Sequence, residues 1–252
     1  MRISSLPTYL YKASMPNLCQ TDKRARVLRE DGLSLCGPVT VSNILIYLAK
    51  THFPPIVPEF GNLSEFDVQL NLIEKLAKYM KTDTDGTNDA DLIEGLTKYI
   101  REHGYKTEVF QEGFEGQENF TPDVIGDPAK IMPFAIGTSN AILSVNFCKV
   151  DPETKRYEPI DEWHYVNLAG FSNCRVPKLI VHDPSPATER EPKECELFKI
   201  EDGTLHNWYP PNEFDAKGFL ELEGIGIHEE DKKKGASKIV LDSILAFKVE
   251  QK

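Results

Sequence analysis

A loop turns into a helix within Asp31-Gly-Leu-Ser-Leu-Cys-Gly-Pro-Val-Thr-Val-Ser-Asn-Ile-Leu-Ile-Tyr-Leu-Ala-Lys50. Apolar residues recur there at the i, i+3, i+4, i+7 spacing of one helical face, and Pro38 suits the first turn, where its missing N–H has no intrahelical partner. Cys36 therefore lies where the helix begins. The positive end of a helix dipole favours a thiolate, and thiolates attack carbonyl carbons. The stretch predicts a nucleophile at Cys36, although free cysteine is also a common buried packing residue.

The composition is that of an ordinary globular protein, with 252 residues of which 40% are hydrophobic and 27% charged. The net charge of −11 argues against nucleic acid or an anionic membrane as partner. No apolar run approaches the roughly 18 residues of a membrane-spanning helix, and the N-terminus lacks the apolar block of a signal peptide. The five cysteines include no Cys-x-x-Cys pair, so we expect a reducing, cytoplasmic location without disulfide framework, metal or cofactor.

Helical patterns precede strand patterns along the chain, and this order predicts an α+β fold rather than alternating βαβ units. The predicted helices are 37–50, one that Ser64 caps, and one that Asn88 caps and Gly104 ends. The predicted strands are 105–110, 141–150, 165–169, 179–182, 219–227 and 239–249. The polar stretch from Pro184 to Pro211 is predicted to form loops.

A hairpin is predicted from the strands 165–169 and 179–182, because a turn rich in Gly, Ser and Asn joins them. The start of one strand of a hairpin lies beside the end of the other, so His164 and Asp183 are expected at the same sheet edge. A cysteine nucleophile needs such an imidazole base with an orienting partner. Two other interpretations remain: a strand-end histidine beside an Asp-Pro turn, and a metal site formed by His164, His182 and Asp183.

Three sequence blocks occur in order: Leu35-Cys-Gly-Pro-Val-Thr-Val-Ser-Asn43, Trp163-His-Tyr-Val-Asn-Leu-Ala-Gly170 and Leu179-Ile-Val-His-Asp-Pro184. Together they resemble the C39-like family of papain-like cysteine peptidases. The resemblance covers roughly residues 12–185 of a single expected domain, 1–252, in which 186–252 form elaborated C-terminal strands and loops. It implies a papain-like cysteine peptidase fold with N-terminal helices packed on a C-terminal antiparallel sheet.

The resemblance also implies residue roles: Cys36 as nucleophile, His164 as general base and acid, and Asp183 as the group that orients the imidazole. Gln20 matches the family's oxyanion-binding glutamine, although it lies farther from the cysteine than is usual and Glu30 occupies the nearer position. The implied function is hydrolysis of a peptide or isopeptide bond through a thioester, with a peptide or protein as substrate. Two alternatives stay open: an acyltransferase or transglutaminase-like enzyme with the same triad, and an inactive peptidase-like binding protein.

Overall fold

The computed structural model describes residues 6–22, 32, 34–58, 63–113, 121–122, 125–185, 191–208, 211–227 and 229–252. The three long helices precede most of the strands, although β1 lies before α1 and the short helices α4 and α5 lie among the strands. The α-helices are α1 (Cys36–Thr51), α2 (Glu65–Tyr79), α3 (Asp89–Glu102), α4 (Pro128–Ile131) and α5 (Glu229–Lys234). The strands are β1 (Tyr9–Tyr11), β2 (Tyr105–Gly113), β3 (Thr121–Pro122), β4 (Ser139–Val150), β5 (Arg156–Ser172), β6 (Lys178–His182), β7 (Lys193–Lys199), β8 (Thr204–Trp208), β9 (Pro211–Asp215), β10 (Leu220–Glu223) and β11 (Lys238–Gln251).

Two of the long helices begin at the predicted capping residues. The side chain of Ser64 accepts a hydrogen bond from the Asp67 N–H at the start of α2, and Asn88 accepts one from the Asp91 N–H at the start of α3. Each cap satisfies an amide that has no partner inside the first turn. Both predicted helix starts are confirmed. Within the described part of the chain, no helix has both the length and the apolar character needed to cross a membrane.

Six antiparallel strands close into a barrel. β4 pairs with β5, β5 with β6, β6 with β7, β7 with β10, and β10 with β11, which returns to β4. Buried apolar side chains of these strands fill the interior, among them Val145, Val166, Val181 and Leu222. Closure gives each of the six strands a hydrogen-bonded neighbour on both sides. The barrel therefore has no open strand edge with unpaired backbone N–H and C=O groups.

The predicted fold, an α+β papain-like arrangement of N-terminal helices on a C-terminal antiparallel sheet, is wrong. The described chain is mostly β structure, and the strands form a closed barrel rather than a sheet that only supports helices. The difference arises in the stretch predicted to be loops, which contains β7, β8 and part of β9. β7 closes the barrel because it pairs with β6 on one side and β10 on the other.

The side chains of β5 divide between two cores. Val166 and Leu168 point into the barrel, whereas Tyr165 and Ala169 pack outside it in the core formed with α1, α2 and α3. This alternation is the period-2 pattern of a strand that is covered on both faces. α1 packs against both β5 and α2, and all residues from Cys36 to Ala49 are buried. The helix that begins at Cys36 is thereby packed directly on the strand that contains His164.

Candidate active site

Cys36 is the first residue of α1, as the sequence predicts. The preceding residue, Leu35, provides no side-chain hydrogen bond to the first turn, and the first turn contains no acidic residue. The positive end of the helix is therefore not neutralised by a carboxylate of its own first turn, and it favours negative charge on a group placed there. The Cys36 side chain is almost wholly covered, with 8% of the residue exposed.

His164 and Asp183 form a buried ion pair. β5 and β6 pair antiparallel with Asn167 opposite His182, which brings the start of β5 beside the residues that follow β6. The predicted hairpin is thus confirmed. His164 Nε2–H donates to Asp183 Oδ1 at 2.7 Å, and the same oxygen accepts the Ser185 N–H at 2.8 Å. The imidazole is stacked on Phe147, so its plane is fixed by an aromatic ring as well as by the carboxylate.

The Cys36 side chain is the second partner of His164. Burial lowers the pKa of His164, but the charge and hydrogen bond of Asp183, together with the hydrogen bond and charge of Cys36, outweigh burial and raise that pKa to about 10. Because Nε2 faces Asp183, Nδ1 is the ring nitrogen that remains for the sulfur. The three side chains therefore lie in the order Cys36, His164, Asp183, with the imidazole charged at neutral pH.

Gln20 lies between the segments that carry the cysteine and the aspartate. Its N–H donates to the carbonyl of Pro184, next to Asp183, at 2.8 Å. Its own carbonyl contacts Gly32 so closely that a Cβ on that glycine would lie 1.8 Å from the oxygen. Gln20 is buried, with 5% of the residue exposed. Backbone contacts thus hold the candidate oxyanion residue beside Pro184, the residue after Asp183, whereas Glu30, which occupies the nearer position in the sequence, lies outside the described residues.

No family model matches the chain, and no curated protein matches it. A solved peptidase domain is similar to it. That structure is the peptidase domain of Streptococcus ComA, a bi-functional ABC transporter involved in a quorum-sensing pathway, at 13% sequence identity and a TM-score of 0.35. The alignment covers 94% of this chain and 99% of that domain.

His182 is engaged away from the ion pair. Its Nδ1–H donates to the Pro16 carbonyl at 3.0 Å, and its Nε2 accepts the Tyr11 hydroxyl at 3.1 Å. Burial lowers the pKa of His182, and the hydrogen bond to Pro16 offsets only part of this effect. Both ring nitrogens thus bind the N-terminal segment instead of a metal shared with His164 and Asp183. In the described ranges, no group of three or more His, Cys, Asp or Glu residues could hold a metal ion.

The two histidines predict opposite titrations within one protein. We expect the ring of His164 to stay protonated through pH 8, because its ion pair raises its pKa, and the ring of His182 to be neutral already at pH 7. Ring ¹H–¹³C NMR spectra recorded from pH 5 to 10 measure both midpoints, and His164→Gln and His182→Gln assign the signals. Titration of both rings near the ordinary value of about 6.5 would contradict the buried ion pair.

A group of polar side chains inside the buried helix was not predicted from the sequence. Thr40, Ser42 and Asn43 follow Cys36 on α1 and are wholly buried, although the apolar pattern of the stretch predicted only an apolar face. Their partners are Asn167 on β5 and Gln69 on α2. The available signal was the density of polar residues in a helix with few charges. It could show that these residues need partners, but not which residues provide them.

Proposed function

We propose that this chain is a cysteine hydrolase that cleaves a peptide or isopeptide bond, with relatives among the C39-like cysteine peptidases. Cys36 is the nucleophile, His164 the general base and acid, and Asp183 the residue that holds the imidazole. The observation that best supports these roles is that His164 forms a hydrogen bond with a buried carboxylate and also interacts with a thiol at the start of a helix. We include residues 1–252 in one catalytic domain, because β7, β10 and β11 complete the barrel that contains β5 and β6.

In the proposed reaction, the Cys36 thiolate attacks the carbonyl carbon of the scissile amide. The negative charge that develops on the carbonyl oxygen is stabilised by the N–H of Cys36 and the side-chain amide of Gln20. His164 then donates its proton to the leaving nitrogen, the C–N bond breaks, and a thioester remains on Cys36. Water attacks the thioester while His164 takes up its proton, which releases the carboxylic acid and restores the thiolate–imidazolium pair.

The proposed pairing of the Cys36 thiol with the His164 imidazole can be tested without a substrate, by measuring the pH dependence of iodoacetamide alkylation at each cysteine. An ordinary thiol with a pKa near 8.5 is less than about 1% ionised at pH 6. We expect Cys36 to react at pH 6 at least about tenfold faster than the exposed Cys174, and His164→Ala to remove this advantage. Cys148 and Cys195 serve as unreactive internal controls, because burial raises the pKa of both thiols. A Cys36 that stays inert in the folded protein at every pH would contradict the proposal.

The role of Gln20 is tested through the glycine that contacts it. Gly32 has φ +88°, a conformation that other residues adopt at a cost of about 1–3 kcal/mol, and its Cβ position coincides with the Gln20 carbonyl. We expect Gly32→Ala to displace Gln20 and to lower turnover of a p-nitrophenyl ester about 10²-fold, the magnitude for loss of one oxyanion donor, while alkylation of Cys36 is unchanged. Turnover at the wild-type level would exclude Gln20 from the oxyanion site.

Gly86 offers the matched control for this substitution. It has a similar backbone conformation, φ +99°, but among the described residues other than its chain neighbours, only the Ser34 carbonyl oxygen lies within 4 Å of its Cβ position, at 3.9 Å. Gly86→Ala therefore introduces comparable backbone strain without displacing Gln20. We expect Gly86→Ala to reduce thermal stability and to retain ester turnover.

A further inference from the structure

The helix that carries Cys36 presents polar groups to the strand that carries His164. Thr40 and Asn43 follow Cys36 at i+4 and i+7 on α1, the spacing that places side chains on one helical face. Both are fully buried, as is Asn167, which lies three residues after His164 on β5. A buried amide in this position must find specific partners, because bulk solvent does not reach it.

Three hydrogen bonds join the helix and the strand at this face. Asn167 Nδ2–H donates to the Thr40 carbonyl at 2.7 Å, and Asn43 Nδ2–H donates to Asn167 Oδ1 at 3.1 Å. The Thr40 hydroxyl donates to the carbonyl of Tyr165, the residue after His164, at 3.2 Å. These bonds lie within about two helical turns of Cys36 and within three residues of His164.

Gln69 on α2 completes the set from the other side of α1. Its Nε2 donates to Asn43 Oδ1 at 2.5 Å and to the Ser42 hydroxyl at 3.0 Å, and that hydroxyl donates to the Val39 carbonyl at 2.8 Å. Each amide oxygen of Asn43 and Asn167 therefore receives a donor, and each amide nitrogen has an acceptor. Such a directional chain fixes the position of α1 along β5, whereas apolar contacts in the same place tolerate sliding.

We propose that Asn167 is a positioning residue that sets the separation of the Cys36 sulfur and the His164 ring. It acts through Thr40 and Asn43 and contacts no reacting atom. This inference rests on the proposed function, because only a nucleophile–base pair needs that separation to be fixed. A small displacement of α1 along the strand changes the distance between sulfur and imidazole, while the bond from His164 to Asp183, which joins β5 to the residue after β6, is unaffected.

The test is the His164 titration midpoint, measured by ring NMR in a double-mutant cycle with Cys36→Ala. In the protein that retains Cys36, we expect Asn167→Leu to lower the midpoint. In the Cys36→Ala background, we expect Asn167→Leu to leave it unchanged, because the lost effect is that of the thiol. A shift of equal size in both backgrounds would mean that Asn167 acts on the His164–Asp183 pair and would overturn the proposal. Alkylation of Cys36 at pH 6 is expected to fall about tenfold in Asn167→Leu.

Asn140→Leu provides a matched control for the loss of a buried amide. Asn140 is fully buried on β4, where it binds the Lys12 ammonium and the Thr138 carbonyl. Its pairing partner is Phe247 on β11, not a residue of β5. We expect this variant to lose stability without a change in the His164 midpoint or in alkylation of Cys36. If Asn167→Leu does not fold, Asn167→Ser is used, since its hydroxyl is too short to reach both partners.

The outcomes separate this proposal from the proposed function. If Cys36→Ala alone leaves the His164 midpoint where it is in the wild type, the thiol and the ring do not interact, and both proposals fail. If Cys36→Ala lowers the midpoint while a folded Asn167 variant changes neither the midpoint nor alkylation, the nucleophile–base pair stands and the positioning role is overturned.

Discussion

Cys36→Ala is expected to lower turnover of a p-nitrophenyl ester at least about 10⁴-fold, the scale on which loss of the nucleophile abolishes covalent catalysis. The wild-type protein should release a burst of p-nitrophenol at pH 6 that corresponds to one acyl group per chain. The reason is that the Cys36 sulfur lies at the N-terminus of α1 and interacts with the ring of His164, which is the arrangement of a thiol nucleophile beside its base. Stopped-flow absorbance measures the burst, and intact-mass spectrometry locates the acyl group.

Cys174→Ala is the control for this experiment. Cys174 is exposed and lies in the turn after β5, far along the strand from His164. We expect its substitution to leave both the burst and the steady-state rate unchanged. A burst that persists in Cys36→Ala, or an acyl group found on another cysteine of the wild-type protein at pH 6, would refute the assignment of the nucleophile. A thioester that resists water but is released by added amines would identify acyl transfer as the reaction.

Asp183→Asn is expected to destabilise the protein by about 3 kcal/mol or more at pH 6, because it removes one partner of a buried ion pair. The folded-state pKa of His164 is raised to about 10, above the value of about 6.5 in the unfolded chain. The ion pair therefore contributes its full stability below about pH 6.5, and this contribution is lost as the pH rises through about 10. The stability difference between wild type and Asp183→Asn should accordingly shrink between pH 6 and pH 10.

Urea unfolding of both proteins at pH 6, 8 and 10 measures this difference. Groups that titrate equally in the two proteins cancel in the comparison, so the slope reports the His164–Asp183 pair. The asparagine carbonyl can still accept the Nε2–H of His164, which separates the effect of charge from that of the hydrogen bond. A stability difference that stays constant from pH 6 to pH 10 would show that His164 is neutral in the folded protein.

The local features of this chain could be predicted from its sequence because their causes lie within a few residues. Ser64 and Asn88 mark the helix starts that they cap, and a short turn places His164 beside Asp183. The roles of Cys36, His164 and Asp183 in catalysis stay a prediction. The sequence indicated that these three side chains could lie close together. The structure adds their spatial order, with His164 between Cys36 and Asp183.

The long-range features could not be predicted, because their causes lie far apart in the chain. β7 has the charged sequence Lys-Glu-Cys-Glu-Leu-Phe-Lys, in which Cys195 is the one fully buried side chain. Cys195 becomes buried only when β7 pairs with β6 and β10. The position of Gln20 likewise depends on its bond to Pro184, more than a hundred residues away. The long spacing from Gln20 to Cys36 in the sequence carries no information about that bond.

Barrel closure has a consequence for the order in which the protein acquires its structure. β4 obtains its second neighbour only from β11, since Cys148 pairs with Lys238 and Ser139 with Lys248. During synthesis, β5, which carries His164, and β6, which ends next to Asp183, leave the ribosome well before β11, the strand that closes the barrel. Pairings so distant in sequence form slowly, and until then the open flanks of β4 and β10 are free to join strands of other chains. A chain that stops before Lys238 should therefore accumulate as aggregates rather than as a folded fragment.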